Sequence, residues 1–221
     1  MRFGVLRFPG SCDEDDALAA CRRVGEAEII WHEDSELGHL DAVAVPGGFS
    51  YGDYLRVGAI ARFAPVMGAV TDFAAAGGPV LGICNGFQVL CEAGLLPGAL
   101  LPNEGMRFIC RQVEVEIAAN DTAFTQGMDA GERLSIPIKH TTGRYFAPDE
   151  LLDQLEAAEQ IVARYADENP NGSARSIAGV CNEQRNVVGL MPHPEHAVDP
   201  LTGSVDGLKL FAAVANARVP A

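Results

Sequence analysis

The sequence predicts an α/β fold: a doubly wound, mainly parallel sheet with added antiparallel strands in the second half. Three observations predict it. Short apolar runs alternate with amphipathic stretches over the first half of the chain, the pattern of a parallel sheet covered on both faces. From Phe108 onward the pattern becomes strand-like alternation broken by Gly- and Pro-containing turns. The 221 residues suffice for one sizeable core, and no linker, repeat or low-complexity segment divides them, so 1–221 reads as a single domain.

Taken in order, Phe3–Phe8 reads as a buried strand. Asp13 is placed to cap a helix whose first turn is acidic and whose apolar residues Ala17, Leu18, Cys21 and Val24 recur at helical spacing. Glu28–Trp31 and Ala42–Val45 are the next strands, the latter ending in Pro46-Gly47-Gly48. Val66–Ala76 reads as a helix stopped by Gly77-Gly78. Val80–Ile83 is a strand and Asn85–Ala93 a helix. Phe108–Ile117, Leu134–Ile138 and Ile161–Tyr165 read as strands. Ser176–Cys181 and Val187–Met191 form a hairpin across the polar turn 182–186, and a last helix runs from about Gly207 to Ala217.

Composition excludes several function classes. The formal net charge of −14 opposes a nucleic-acid or anionic-membrane surface, which needs clustered Lys and Arg. No apolar run is long enough to span a bilayer, since Asn85, Gln88, Glu92 and Pro97 interrupt the nearest one. Arg7 breaks the first apolar stretch, so no secretory signal is expected. The six cysteines include no C-x-x-C pair, and free thiols in a reducing cytoplasm are the expectation.

Chemistry concentrates at three strand ends. In Gly82-Ile-Cys84-Asn-Gly86 a cysteine stands between a strand and a helix, with glycines that let a sharp turn form. Such a turn exposes the thiol beyond the carboxyl end of the sheet, where ligands of doubly wound folds bind. The helix N-terminus favours the thiolate, and the turn's N–H groups can receive an oxyanion. Downstream, Pro192-His193-Pro194-Glu195 follows the strand Val187–Met191 and lands on the same rim. His193 is the candidate base, and Glu195, two residues on in an extended segment, the group that orients it. The loop after Val45 supplies the Gly48 N–H as a second oxyanion donor beside that of Asn85. His193 and His196 lack a supporting Cys or His cluster, so no metal is expected, and His32, His39 and His140 read as structural or surface groups.

P-G-G, G-x-C-x-G and P-H-P-E, in this order, resemble the class I (triad) glutamine amidotransferases. The resemblance implies a flavodoxin-like fold, Cys84 as nucleophile on the glutamine side-chain amide, His193 as general acid/base, and Glu195 as its partner. It also implies an oxyanion and substrate-binding set of Gly47, Gly48, Phe49, Asn85 and Gln88. The segment Phe49–Arg62, with Asn171-Gly-Ser173 and 203–209, resembles the amidotransferase subunits that serve the formylglycinamidine-forming step of purine biosynthesis. Such subunits pass ammonia to a separate synthetase large subunit that uses ATP and Mg²⁺, assisted by a small third subunit. No cofactor is implied for this chain, which has no G-x-x-x-x-G-K-[ST] phosphate loop.

Two stretches depart from the family pattern: Pro9-Gly-Ser-Cys-Asp13 lacks an Asn, and His140-Thr-Thr-Gly143 stands where H-G-E-G is usual. The alternatives are the glutaminases of pyridoxal phosphate or GMP synthesis, a cysteine-elbow chaperone or stress hydrolase, and a non-catalytic docking subunit. F-S-Y-G-D-Y-L-R opposes the first two, P-H-P-E the next, and an intact triad the last.

Overall fold

The computed structural model describes Met1–Asn216. Its elements are β1 (Arg2–Arg7), α1 (Glu14–Arg22), β2 (Glu26–Trp31), β3 (Ala42–Val45), α2 (Pro65–Ala75), β4 (Val80–Ile83), α3 (Asn85–Glu92), β5 (Ala99–Pro102), β6 (Ile109–Ile117), β7 (Arg133–His140), β8 (Thr142–Phe146), α4 (Asp149–Ala157), β9 (Ile161–Tyr165), β10 (Ile177–Cys181), β11 (Val187–Leu190) and α5 (Leu208–Asn216). A nine-stranded sheet has the order β2-β1-β3-β4-β11-β10-β9-β6-β7, and β5 and β8 form a separate antiparallel pair. The five strands from β2 to β11 run parallel, and the extension from β10 to β7 is antiparallel.

Every residue of β3, β4 and β11 is buried, so both faces of the sheet's centre are covered. That is why these strands are continuous apolar runs rather than alternating ones. Helix α1 lies against β1 and β2 and meets α5, while α3 lies against β4, β11 and β3. Phe3, Phe87, Phe124 and Phe211 are all buried, each such side chain worth about 1.5–3 kcal/mol relative to exposure. Among the described residues no helix is long and apolar enough to cross a membrane, and all six cysteines are free.

The expected strands and helices are present, with three differences of substance. β5, β8 and α4 were not expected. α4 nonetheless carries the signals of a helix start: Pro148 ahead of it, Asp149 and Glu150 in its first turn, and Leu152 and Leu155 facing inward. Asp13 occupies the position before α1, yet its side chain makes no cap hydrogen bond, because its carboxylate is engaged elsewhere. Finally, 194–196 is a 3₁₀ turn rather than extended chain. The last helix is described to Asn216; Ala217 lies outside the described residues.

The junction of β4 and α3 is the tightest point in the fold. Register places Val45 of β3 and Gly189 of β11 on either side of Gly82 in β4, so the chain must turn immediately after Ile83 between two flush neighbours. Gly86 passes so close to β3 that a Cβ there would collide with the Val45 carbonyl oxygen. Replacing Gly86 with Ala is expected to lower the urea unfolding midpoint by an amount equivalent to about 1–3 kcal/mol or more. Gly105→Ala, where a Cβ meets nothing within 4 Å, should leave the midpoint nearly unchanged.

Candidate active site

Four adjacent parallel strands deliver their carboxyl ends to one rim. β1 leads to Cys12 and Asp13, β3 to Gly47–Asp53, β4 to Cys84, and β11 to His193 and Glu195. A fifth segment comes from the far edge of the sheet, where the end of β7 brings Lys139 and His140 to the same place. The His193 N–H donates to the Pro137 carbonyl at 2.8 Å, which ties the P-H-P-E segment to β7. Together these segments enclose a cavity of about 340 Å³ into which Cys84, His193, Gly48, Phe49 and Gln88 all face. A larger hollow of about 880 Å³ lies away from this rim, between α4 and the β10–β11 turn, and is lined by no Cys or His.

Cys84 has φ 51° and ψ −104°, a backbone conformation that L-residues seldom adopt and that costs on the order of 1–3 kcal/mol. It persists because Gly82 and Gly86 let β4 and α3 pack tightly against their neighbours, and that packing holds the turn between them. The turn keeps the thiol at the cavity wall, with Sγ 3.9 Å from the Lys139 carbonyl.

His193 is buried, and its Nδ1 lies 2.6 Å from Glu195 Oε1. The 3₁₀ turn at 194–196 produces this contact by bringing the Glu195 side chain back over the ring. Nε2, on the other side of the ring, is buried without a hydrogen-bond partner, and the Cys84 thiol lines the same cavity and acts on the charge of the ring. Burial alone would push the imidazole toward neutrality. The negative charge of Glu195 and of the Cys84 sulfur outweighs it and holds His193 well above the ordinary histidine range.

A second carboxylate, unanticipated from sequence as part of the site, stands behind this pair. Asp13 is buried, accepts from Lys139 Nζ and from His196 Nε2 (3.1 Å), and lies 3.7 Å from His193 Nδ1. Burial opposes its charge, but the His196 hydrogen bond and the His193 and Lys139 charges prevail, so its pKa lies far below the usual carboxylate range. Gly47 has no Cβ to lose here: one would strike the Asp13 carboxylate and crowd the His193 ring. Ligand atoms of Asp13, His193, Glu195 and His196 lie within 4.8 Å of one another, yet the Lys139 ammonium already pairs with Asp13. A charged lysine inside the cluster opposes a divalent cation.

The remaining expected residues fall into two sets. Gly48, Phe49 and Gln88 line the cavity. The Asn85 side chain lies beneath it: Oδ1 accepts from Ser50 N (3.1 Å) and Ser50 Oγ (2.5 Å), and Nδ2 donates to Gln88 Oε1 (2.9 Å) and Asp53 Oδ1 (3.3 Å). Gln88 Nε2 in turn donates to the Thr142 carbonyl. His140, expected to be structural or superficial, lines the cavity too. Burial and the His193 charge depress it to about 4, and its Nδ1 bonds Asn103 Oδ1 at 3.0 Å, so it stays neutral.

The sequence matches the family of CobB/CobQ-like glutamine amidotransferase domains over residues 1–210. It is 58% identical to the phosphoribosylformylglycinamidine synthase subunit PurQ of Frankia casuarinae, covering 96% of this chain and 92% of that protein. It is equally 58% identical to the subunit of the same name from Rubrobacter xylanophilus, over 99% and 100% of the two chains. Among solved structures, a chain of PurLQS from Thermotoga maritima superimposes with a TM-score of 0.90 at 43% identity, covering 98% of each.

The Asp13 network has a measurable signature. Because the folded pKa of Asp13 is lowered, its contribution to stability is complete above the ordinary carboxyl range and is lost as pH falls through and below it. Asp13→Asn is therefore expected to cost about 2–4 kcal/mol at pH 7 by denaturant unfolding. Its difference from the wild type should shrink steadily below about pH 4.

Proposed function

Because this chain belongs to the family of CobB/CobQ-like glutamine amidotransferase domains, we propose that Cys84, His193 and Glu195 are the triad with which it hydrolyses glutamine. The chain is the glutaminase subunit of phosphoribosylformylglycinamidine synthase and releases glutamate and ammonia for purine biosynthesis. One observation carries the assignment of residues. A buried imidazole is held by a carboxylate at 2.6 Å on one nitrogen, its other nitrogen has no partner, and a strained cysteine lines the same cavity.

The Cys84 thiolate attacks the carbon of the substrate's side-chain amide, and the oxygen takes up negative charge. The N–H groups of Gly48 and Asn85 receive that charge, each such donor being worth about 3–4 kcal/mol in the transition state. His193 gives its Nε2 proton to the departing nitrogen, and ammonia leaves a glutamyl thioester on Cys84. His193, now neutral, takes a proton from water, and the resulting hydroxide attacks the thioester carbon. Glutamate leaves, the thiolate and the imidazolium are restored, and Glu195 holds Nδ1 throughout.

The ammonia goes to a separate synthetase large subunit, which uses ATP and Mg²⁺ to convert formylglycinamide ribonucleotide to formylglycinamidine ribonucleotide; a small third subunit completes the complex. Support comes from the 43% identical chain of PurLQS and from the rim itself. Phe49 and Phe108 line the cavity and are exposed, and Tyr54, Leu55 and Met106 are exposed on the same two loops, apolar surface that suits a protein partner.

In the reconstituted complex, Cys84→Ala should lower glutamine-dependent synthesis by about 10⁴-fold or more while ammonia-dependent synthesis continues. Glutamine-dependent turnover that survives the substitution overturns the assignment. Glu195→Gln should reduce kcat by about 10²–10⁴-fold with KM for glutamine little changed, measured by glutamate release.

A further inference from the structure

Two acidic side chains line the cavity, and they differ in what they lack. Asp13 is saturated by Lys139 and His196. Asp53 has a single hydrogen bond, from Asn85 Nδ2 to its Oδ1 at 3.3 Å, and no ion pair among the described residues. The cavity's lysine is committed to Asp13. Asp53 is thus an acid at the cavity wall with a free oxygen and no counter-ion.

Its position is built rather than incidental. Asn85 immediately follows Cys84, so the 3.3 Å bond tethers Asp53 one residue from the nucleophile. Both other demands on Asn85 and Gln88 are met internally, which leaves those amides fixed as the floor of the cavity. The loop carrying Asp53 has positive φ at Tyr51, Gly52, Asp53 and Leu55. Three anchors hold it in that conformation. Tyr51 N donates to the Pro9 carbonyl at 2.6 Å, Tyr51 Oη lies 2.7 Å from His32 Nδ1, and Ser50 is bound to Asn85.

Glutamine presents an ammonium and a carboxylate on the carbon two methylenes beyond the reacting amide. We propose that Asp53 binds the α-ammonium of the substrate and so selects an amino-acid amide over other carboxamides. This rests on the reading of Cys84 as a glutamine-hydrolysing nucleophile. The α-carboxylate is repelled by Asp53 and points elsewhere. Burial pushes the Asp53 carboxyl up to about 6, with the Asn85 hydrogen bond opposing it; an ammonium arriving there supplies the missing counter-charge.

The test compares glutamine with 4-carbamoylbutanoate, which keeps the amide and the carboxylate but lacks the ammonium, in the complex with its synthetase partners. Wild-type enzyme is expected to prefer glutamine strongly. Asp53→Asn should raise KM for glutamine by about 10- to 100-fold, with a smaller change in kcat, and leave 4-carbamoylbutanoate nearly unaffected. The preference between the two therefore collapses, which a merely structural role for Asp53 would not produce. Asp53→Glu should recover part of it. An unchanged preference in Asp53→Asn overturns the proposal. Co-elution of the variant with its partner subunits in size-exclusion chromatography reports whether it assembles.

If it does not assemble, alkylation of Cys84 in wild-type enzyme decides. 4-Aminobutanamide should protect the thiol at lower concentration than butanamide, and equal protection overturns the proposal. Wild-type enzyme that releases no glutamate from glutamine would instead overturn the assigned hydrolysis itself.

Discussion

The backbone of Cys84 is the constraint on which the site depends. A strand flanked on both sides by flush neighbours becomes a helix within one residue, and it does so through a residue with φ 51° and ψ −104°. Gly86 makes the route possible by letting α3 approach β3 to a distance that no side chain would permit. The thiol is thereby fixed in position before any substrate arrives, and the strain is borne by the packing of three fully buried strands.

Around this fixed sulfur the charges are arranged in alternation. Cys84, His193 and Glu195 follow one another, and Asp13, Lys139 and His196 form a second layer behind them. Each buried charge has an opposite neighbour, which is what makes burial tolerable. The alternation also separates the two histidines: it favours the charged form of His193, while His140, facing the same cavity but lacking a carboxylate, stays neutral. Two histidines on one rim differ in charge because of what stands next to each.

Much of the sheet was legible because its central strands are short apolar runs bounded by Gly and Pro, and burial on both faces is what makes them so. The placing of Cys84, His193 and Glu195 at one rim was legible for a related reason: glycine and proline mark the sharp backbone turns on either side of Cys84 and His193. Asp13 was seen but misassigned, since an acid ahead of a helix ordinarily caps it, and only the fold reveals Lys139 beside it from 126 residues away. Glu195 was expected on the correct side of His193 for the wrong local reason, an extended chain where the structure makes a turn. Lys139 itself carries no local mark: it is one polar position in an alternating strand. α4 and the β5–β8 pair were missed because each buries only a narrow apolar stripe.

The bond from His193 N to the Pro137 carbonyl has a consequence beyond the site. β7 ends the nine-stranded sheet, and its outer side would ordinarily offer alternating donors and acceptors to any passing strand. At Pro137 the donor is missing and the acceptor is already taken by the P-H-P-E segment. At the opposite border β2 presents Glu26 and Glu28. Both margins are therefore poor templates for another copy, and the backbone contact that seats His193 also blunts the β7 edge of the sheet.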